Sequence, residues 1–137
     1  MERLVNKKMI VAINKLCIEL SGGERFTGKN NMRAGTSLSF VEWISTNRVF
    51  GKKIFTSIFH RAAGYLYFIL NDHCFVDGNK RTALATTVTF LEWNEILFDP
   101  EDDDNVYAKI KYFASSEQTP EQMIPKIAAW LRRVCLD

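Results

Sequence analysis

Apolar residues recur every three or four positions on both sides of a short interruption in the middle of this chain. The two runs cover 55–71 and 79–93, and this spacing is typical of helices that bury one face. The first run is apolar around much of its circumference, which predicts a central helix. The interruption at 73–78 contains Asp77-Gly78, a strong turn signal. The sequence therefore predicts two long helices, joined by a loop, in the middle of a helical core.

Further segments with helical spacing predict about six helices in one all-α domain that covers residues 1–137. The first such segment is 3–20, and the residues expected to face inward are Leu4, Val5, Met9, Ala12, Ile13, Leu16, Cys17 and Leu20. A short helix is expected from about Leu38 to Ser45, with Ser37 as its N-cap.

The last two helices are predicted from their start signals. Asp99 is the expected cap of the fifth helix, with Pro100 at its first position. Its inward stripe is expected to contain Val106, Tyr107, Ile110, Phe113 and Ala114. Thr119-Pro120-Glu121-Gln122 has the pattern of a capping box with proline at the first helical position, and it predicts the start of the last helix.

Composition and charge exclude several classes of protein. The net charge is only +2, which does not favour direct nucleic-acid binding. The cysteines are Cys17, Cys74 and Cys135, an odd number without zinc-like spacing, so we expect no disulfide framework. No apolar run approaches the length of a membrane span, and the first residues do not resemble a signal peptide. These features predict a cytoplasmic protein in a reducing setting.

Two polar segments have no helical spacing. Residues 22–36 are polar and rich in Gly, Asn and Lys, and we expect Lys29, Arg33 and the asparagines there to be solvated. The segment from Thr46 to Ile54 is mixed basic and aromatic, with a glycine at its centre. From the residues alone it is equally well interpreted as a surface loop or as a functional flap, a β-hairpin that turns at Gly51.

The loop between the two central helices gathers several chemical groups. His73 is a general-base candidate, because an imidazole accepts and returns a proton near neutral pH. Asp77 is a hard oxygen ligand suited to Mg²⁺. Gly78 allows the backbone to approach a ligand closely. The helix that begins at Asn79 offers backbone N–H groups and the positive end of its dipole to an anion.

Two cations stand at that same helix start. Lys80 and Arg81 lie in the first turn, where a positive charge repels the helix dipole. Their presence there indicates that an anion binds among them. A base, a metal ligand, a glycine and a phosphate cradle together predict a nucleotide-handling site.

The twelve-residue run HCFVDGNKRTAL, which begins at His73, closely resembles the signature of the Fic/Doc family, His-x-Phe-x-Asp-Gly-Asn-x-Arg. The matching residues are His73, Phe75, Asp77, Gly78, Asn79 and Arg81. The similarity extends over nearly the whole chain and is weakest from about 24 to 55. It implies a compact helical fold in which His73 is the catalytic base and Asp77 holds Mg²⁺. Phe75 is expected to anchor the loop in the core.

Two departures from that signature indicate a branch of the family. Members that transfer AMP typically have glycine where Lys80 stands and a second arginine three residues after Arg81, where this chain has Leu84. The string Asp-Gly-Asn-Lys-Arg-Thr-Ala-Leu is similar instead to the death-on-curing (Doc) branch, in which the terminal phosphate meets the hydroxyl. Cys74, where many members have proline, bears on loop stiffness rather than on chemistry.

The resemblance implies a toxin that uses Mg²⁺ and ATP to phosphorylate a protein hydroxyl, with elongation factor Tu as the expected target. It also favours the flap over the loop around Gly51, with the target segment held by strand addition. Many members restrain themselves with a helix that bears Ser/Thr-x-x-x-Glu-Gly/Asn, and no such string occurs here. Restraint is therefore expected from an antitoxin in trans, whose segment folds into a groove.

Two alternatives stay open at this point. In the first, AMP or another nucleotidyl group is transferred and Lys80 is merely tolerated. In the second, the chain is a non-catalytic binding module that keeps the phosphate cradle and docks a partner. An inactive module would more readily have lost His73 or Asp77, and both are present.

Overall fold

The computed structural model describes residues 2–21, 31–49 and 51–136. Within these ranges there are six helices: α1 (Lys7–Ser21), α2 (Phe40–Thr46), α3 (Ile58–Asp72), α4 (Asn79–Trp93), α5 (Asp103–Ser115) and α6 (Pro120–Val134). Four short strands form two antiparallel pairs, β1 (Arg48–Val49) with β2 (Lys52–Lys53) and β3 (Leu97–Phe98) with β4 (Cys135–Leu136). Of the helices described, none has the length and apolar character needed to cross a membrane. The predicted all-α fold of about six helices is confirmed.

The central element is α3, as the apolar run predicted. Every residue from 62 to 70 is buried, and the helix packs against both α4 and α6. Gly64 allows close packing on a further side of α3, because a Cβ there would lie 2.6 Å from the ring of Phe55 and 3.2 Å from the side chain of Ile44 in α2. Packing on several sides therefore fixes the end of α3, from which the chain enters the loop at 73–78.

The start of α1 differs from the prediction. The helix begins at Lys7 rather than at residue 3, because the Asn6 side chain accepts a hydrogen bond from the Met9 N–H at 3.0 Å and caps it. Val5 precedes the helix and is wholly buried. Its N–H and its C=O both bond to the hydroxyl of Tyr65, at 2.9 Å each. The segment before α1 is thus held against α3 by these hydrogen bonds.

The inward face of α1 also differs from the predicted stripe. Ile10, Asn14 and Ile18 are buried, whereas Leu16 and Leu20 are 53% and 77% exposed. This helix has apolar residues on two faces, and the buried face contains a polar residue. Because Asn14 interrupts the buried stripe, the outer stripe looked more regular in the sequence.

Two other predicted helix starts are wrong. Leu38 adopts a left-handed φ of 55° and buries its side chain, so α2 begins after it. Asp102, not Asp99, caps α5, with its carboxylate 2.8 Å from the N–H of Asp104. Asp99 follows β3 directly, and its N–H donates to the Val134 carbonyl at 2.9 Å.

The predicted hairpin around Gly51 is present. Arg48 pairs with Lys53 and Val49 pairs with Lys52, in an antiparallel register. Gly51 lies in the turn with a φ of 79°, a left-handed conformation that favours glycine.

The predicted start of α6 is confirmed, and the chain then adds a strand that was not predicted. The Thr119 side chain accepts from the backbone of Gln122, whose own side chain accepts from the Thr119 N–H, so the capping box is complete. After α6, Leu136 pairs with Leu97 across β3 and β4. A two-residue strand is too short for an alternating pattern to reveal it.

Candidate active site

A cleft of about 430 Å³ opens where α3 ends and α4 begins. The residues that line it are Leu70, His73, Val76, Asp77, Gly78, Asn79, Lys80, Arg81, Tyr107 and Ala114. Every predicted site residue except Phe75 therefore lines one cleft. A larger cleft of about 910 Å³ lies at the opposite ends of the same two helices and contains none of them.

His73 is the C-cap of α3 and has a left-handed backbone, with φ 46° and ψ 56°. Histidine is one of the few non-glycine residues enriched in this conformation. The turn ends the helix, and the carbonyl of His73 accepts a bond from the Arg33 guanidinium at 3.4 Å. The side chain is exposed and lines the cleft. It can therefore accept a proton from a hydroxyl that enters there.

A neighbouring segment holds the loop from His73 to Gly78 in place. The N–H of Arg33 donates to the Cys74 carbonyl at 2.9 Å, and the N–H of Val76 donates to the Asn31 carbonyl at 3.0 Å. The loop is therefore paired with another part of the chain, much as a strand is paired in a sheet.

Phe75 and Asn79 close the loop from within. Phe75 has no exposed surface. Its N–H donates to Asn79 Oδ1 at 3.0 Å, and its C=O accepts from Asn79 Nδ2 at 2.9 Å. Because the Asn79 side chain bonds to the loop, the phosphate contact at this residue stays a prediction for its backbone N–H.

Gly78 and the first turn of α4 form the end of the cleft. Gly78 has a φ of 79°, and a Cβ there would lie 3.3 Å from Asn14 Nδ2, so only glycine fits without strain. The first intrahelical bond runs from the Thr82 N–H to the Gly78 carbonyl, at 2.8 Å. The backbone N–H groups before Thr82 have no acceptor within the helix. With Lys80 and Arg81 exposed beside them, they form a positively polarised helix start.

Asp77 suits a magnesium ion that arrives with a nucleotide. Its Oδ1 accepts a hydrogen bond from the Gly78 N–H at 2.7 Å. Among the described residues, no group of three or more His, Cys, Asp or Glu side chains is placed to hold a metal. Mg²⁺ is commonly held by one or two carboxylates together with substrate phosphates and water. Asp77 fits that arrangement, whereas a metal held by the protein alone would not fit this set of ligands.

Tyr107 lines the cleft, although it was expected in the buried stripe of α5. Its side chain is 64% exposed. The buried stripe runs from Val106 through Ile110 to Phe113, and one residue further along a helix points about 100° away. The position of Tyr107, one residue after Val106, was the only sign in the sequence that its side chain lies outside the core.

Two buried amides behind the loop were also missed. Asn14 has no exposed surface and Asn31 is 3% exposed, so the expectation that Asn31 is solvated is wrong. The Asn14 amide lies 3.0 Å from the carbonyl of Asp77, to which it donates. A polar residue within the buried stripe of α1 was the available signal.

The cysteines near the cleft are not activated. Burial raises the pKa of the Cys74 thiol to about 12, and the neighbouring Asp72 carboxylate acts in the same direction. Burial also raises the pKa of Cys17, although a hydrogen bond with Thr82 and the charge of Arg81 oppose the shift. Both thiols are protonated near neutral pH, so neither is a competing nucleophile.

Comparison with known proteins gives two matches. The family model described as the Fic/DOC family matches residues 4–91, which is more than half of the chain. The toxin Doc of Mycolicibacterium smegmatis is 32% identical over 89 residues, an alignment that covers 52% of this chain and 68% of that protein. The region matched by the family model contains the whole loop from His73 to Gly78 and α4 as far as Leu91.

Proposed function

The chain belongs to the Fic/Doc family, and on that basis we propose that it is a Doc-like toxin that transfers the terminal phosphate of ATP to a protein hydroxyl. The family and the toxin relative support a transferase that acts on proteins. The choice of phosphoryl over nucleotidyl transfer rests on the residues that follow the loop from His73 to Gly78, which we call the catalytic loop.

The observation that carries this choice concerns Lys80 and Leu84. Lys80 lines the cleft beside Arg81, where it adds a cation and bulk. Leu84 does not line the cleft; it packs against the hydrophobic core. The second arginine clamp of the AMP-transferring members therefore has no counterpart at this position. A nucleotide that lacks this clamp is better placed with its terminal phosphate at the helix start.

In the proposed reaction, His73 takes the proton from the target hydroxyl while the hydroxyl oxygen forms a bond to the terminal phosphorus. The bond between that phosphorus and the bridging oxygen breaks, and the nucleoside diphosphate leaves. Mg²⁺, when bound at Asp77, neutralises charge on the phosphate oxygens. The N–H groups at the start of α4, together with Lys80 and Arg81, stabilise the remaining negative charge. Phosphoryl transfer depends mainly on such positioning and charge stabilisation.

The target protein is proposed to dock on the hairpin formed by β1 and β2. Lys52 of this hairpin pairs with Glu121 at the start of α6, at 3.1 Å, and Arg48, Lys52 and Lys53 are exposed. A short hairpin with open edges can accept an added strand. Elongation factor Tu remains the proposed target.

The proposed antitoxin is expected to cover the outer face of α1. Leu16 and Leu20 are exposed on that face, and the opposite face of the same helix contacts the catalytic loop through Asn14. An apolar helix face of this kind suits a partner segment that folds on binding.

Incubation of the protein and elongation factor Tu with ATP that is labelled on either the α- or the γ-phosphate tests the proposal. Label retained from the γ-phosphate, and lost with the His73→Ala variant, is the expected result. Label retained from the α-phosphate would instead establish nucleotidyl transfer. No label from either ATP, with bound nucleotide unchanged, would favour the binding module.

A further inference from the structure

A buried polar cluster behind the catalytic loop joins three segments that are distant in sequence. Asn14 on α1 donates to the Asp77 carbonyl and to Thr82 Oγ1, each at 3.0 Å, and its Oδ1 accepts from Asn31 Nδ2 at 3.1 Å. Asn14 and Thr82 have no exposed surface. Neither the sequence signature nor the family match assigns a role to Asn14, Asn31 or Thr82.

We propose that Asn14 is a positioning residue that fixes the Asp77–Gly78 peptide and thereby the direction of the Asp77 carboxylate. This inference rests on the proposed phosphotransfer function. The argument depends on the geometry of one peptide group. All peptide bonds in the described residues are trans, so the C=O and N–H of a peptide point in opposite directions.

The two sides of this peptide have different partners. The Asp77 carbonyl points to Asn14, inside the protein. The Gly78 N–H must then point away from Asn14, and it donates to Asp77 Oδ1 at 2.7 Å. The carboxylate is therefore held on the side that faces away from the core, and Asp77 lines the cleft. One buried amide determines where the proposed metal ligand lies.

The orientation of the Asn14 amide is itself fixed. Thr82 accepts from its NH₂ group, and Asn31 donates to its oxygen. If the peptide turned over, the Gly78 N–H would face the Asn14 NH₂ group, and the Asp77 carbonyl would face its own carboxylate. Both contacts are unfavourable, because donor would meet donor and acceptor would meet acceptor.

The test compares two substitutions in the cluster with a matched control. Asn14→Leu removes both donors at similar size, and Thr82→Val removes one partner of Asn14. Thr86→Val is the control, because Thr86 lies one turn further along α4, is equally buried, and its hydroxyl has no hydrogen-bond partner within the part of the chain that the structure describes.

For Asn14→Leu we expect kcat to fall about tenfold or more and the Mg²⁺ concentration for half-maximal activity to rise about tenfold, as for other supports of metal ligands. The KM for ATP should change much less, since the helix start that binds the phosphates is intact. Thr82→Val should give a smaller change in the same direction, and Thr86→Val should match the wild type. A folded Asn14→Leu protein with wild-type kcat and Mg²⁺ requirement would overturn the proposal.

A second measurement does not need the activity. In the wild type, the Gly78 amide proton should exchange slowly with solvent, because it is hydrogen-bonded to the Asp77 carboxylate. In folded Asn14→Leu this exchange, followed by NMR, should be about tenfold faster or more, and in Thr86→Val it should match the wild type. An unchanged exchange rate in Asn14→Leu would overturn the positioning role. If the wild type transfers no phosphate, the proposed function fails, and the Gly78 exchange rate alone decides whether Asn14 positions Asp77.

Discussion

Charged side chains have different surroundings at the two ends of the α3–α4 pair. At the end that contains the cleft, neutral amides from Asn14 and Asn79 hold the backbone, and Lys80 and Arg81 extend into exposed positions. At the other end, Arg61 is mostly buried and donates to both carboxylate oxygens of Glu2. Lys80 and Arg81 are thus exposed where a ligand is expected, whereas the Arg61 side chain is turned towards the protein and bonds to Glu2.

The far end shows what a structural use of arginine looks like. Arg61 also donates to Asn47 Oδ1 and to the Phe55 carbonyl, each at 2.9 Å, so its donors are directed into the protein itself. Arg3 lies over the ring of Trp93, 5.4 Å from its centroid. The larger of these two clefts is thus lined in part by arginines that contact the protein itself, and its size alone does not make it the better candidate for an active site.

The largest effect is expected at His73. His73→Ala should lower the rate of transfer by a factor of about 10² to 10⁴, which is typical for loss of a general base, with little change in nucleotide binding. Because the backbone is left-handed there, His73→Asn is the better-matched variant, since asparagine tolerates this conformation. Label transfer and nucleotide affinity are measured for both. Full activity of His73→Asn would remove the imidazole from the mechanism.

The next effect is expected from a pair of glycines. Gly78 and Gly51 both have a φ of 79°, but a Cβ at Gly51 meets nothing within 4 Å, whereas at Gly78 it meets Asn14 Nδ2 at 3.3 Å. Gly51→Ala should cost about 1 kcal/mol of unfolding free energy through backbone strain alone. Gly78→Ala should cost more and should also lower activity.

Urea unfolding and transfer assays of Gly51→Ala and Gly78→Ala separate the effect of the contact with Asn14 from the effect of backbone strain, which both variants share. Equal losses of stability, with normal activity in Gly78→Ala, would show that the close approach at the cleft has no importance.

The sequence predicted those parts of the molecule that depend on nearby residues. The loop from His73 to Gly78, the start of α4 and the capping box at Thr119 all depend on residues within a few positions of one another, and each was found. Contacts between distant segments were not found. Asn14 bonds to Asp77 across the interior, and no local pattern in α1 reveals that partner.

The sequence also did not reveal which face of α1 is buried, because this helix has two apolar faces. The sequence shows that Ile10, Leu16 and Leu20 are apolar, but only the packing of α1 against α4 decides which of them are buried. Tertiary contacts decide this, because burial of either face would satisfy the helical periodicity. The same ambiguity placed Tyr107 in the core, although the structure places it at the cleft.

The ion pair at the far end should affect stability without affecting transfer. Arg61→Met removes the charge while it keeps much of the volume, and it leaves Glu2 with a half-buried carboxylate. We expect a loss of about 2 kcal/mol in unfolding free energy, since one charge of a partly buried pair then has no partner. The double variant with Glu2→Gln should recover part of this loss. Reduced kcat in the folded Arg61→Met protein would contradict the separation of the two ends.

The smallest effect is a pH dependence at His60, near the start of α3. Burial lowers the pKa of His60 below its ordinary 6.5, and the charges of Arg132 and Arg61 act in the same direction. Ser57 Oγ lies 2.7 Å from His60 Nδ1 and also accepts from the His60 N–H at 3.2 Å.

The folded state therefore favours neutral His60. Its contribution to stability is complete above pH 6.5 and is lost as the pH falls through that value towards the lower pKa of the folded state. Other groups also titrate on acidification, so the informative quantity is the difference in unfolding free energy between the wild type and His60→Gln. That difference should shrink as the pH falls below 6.5. Transfer activity should keep the same pH profile in both proteins, because His60 lies at the end of α3 opposite His73. A stability difference that stays constant with pH, or an activity profile that moves with His60, would show that the two ends are coupled.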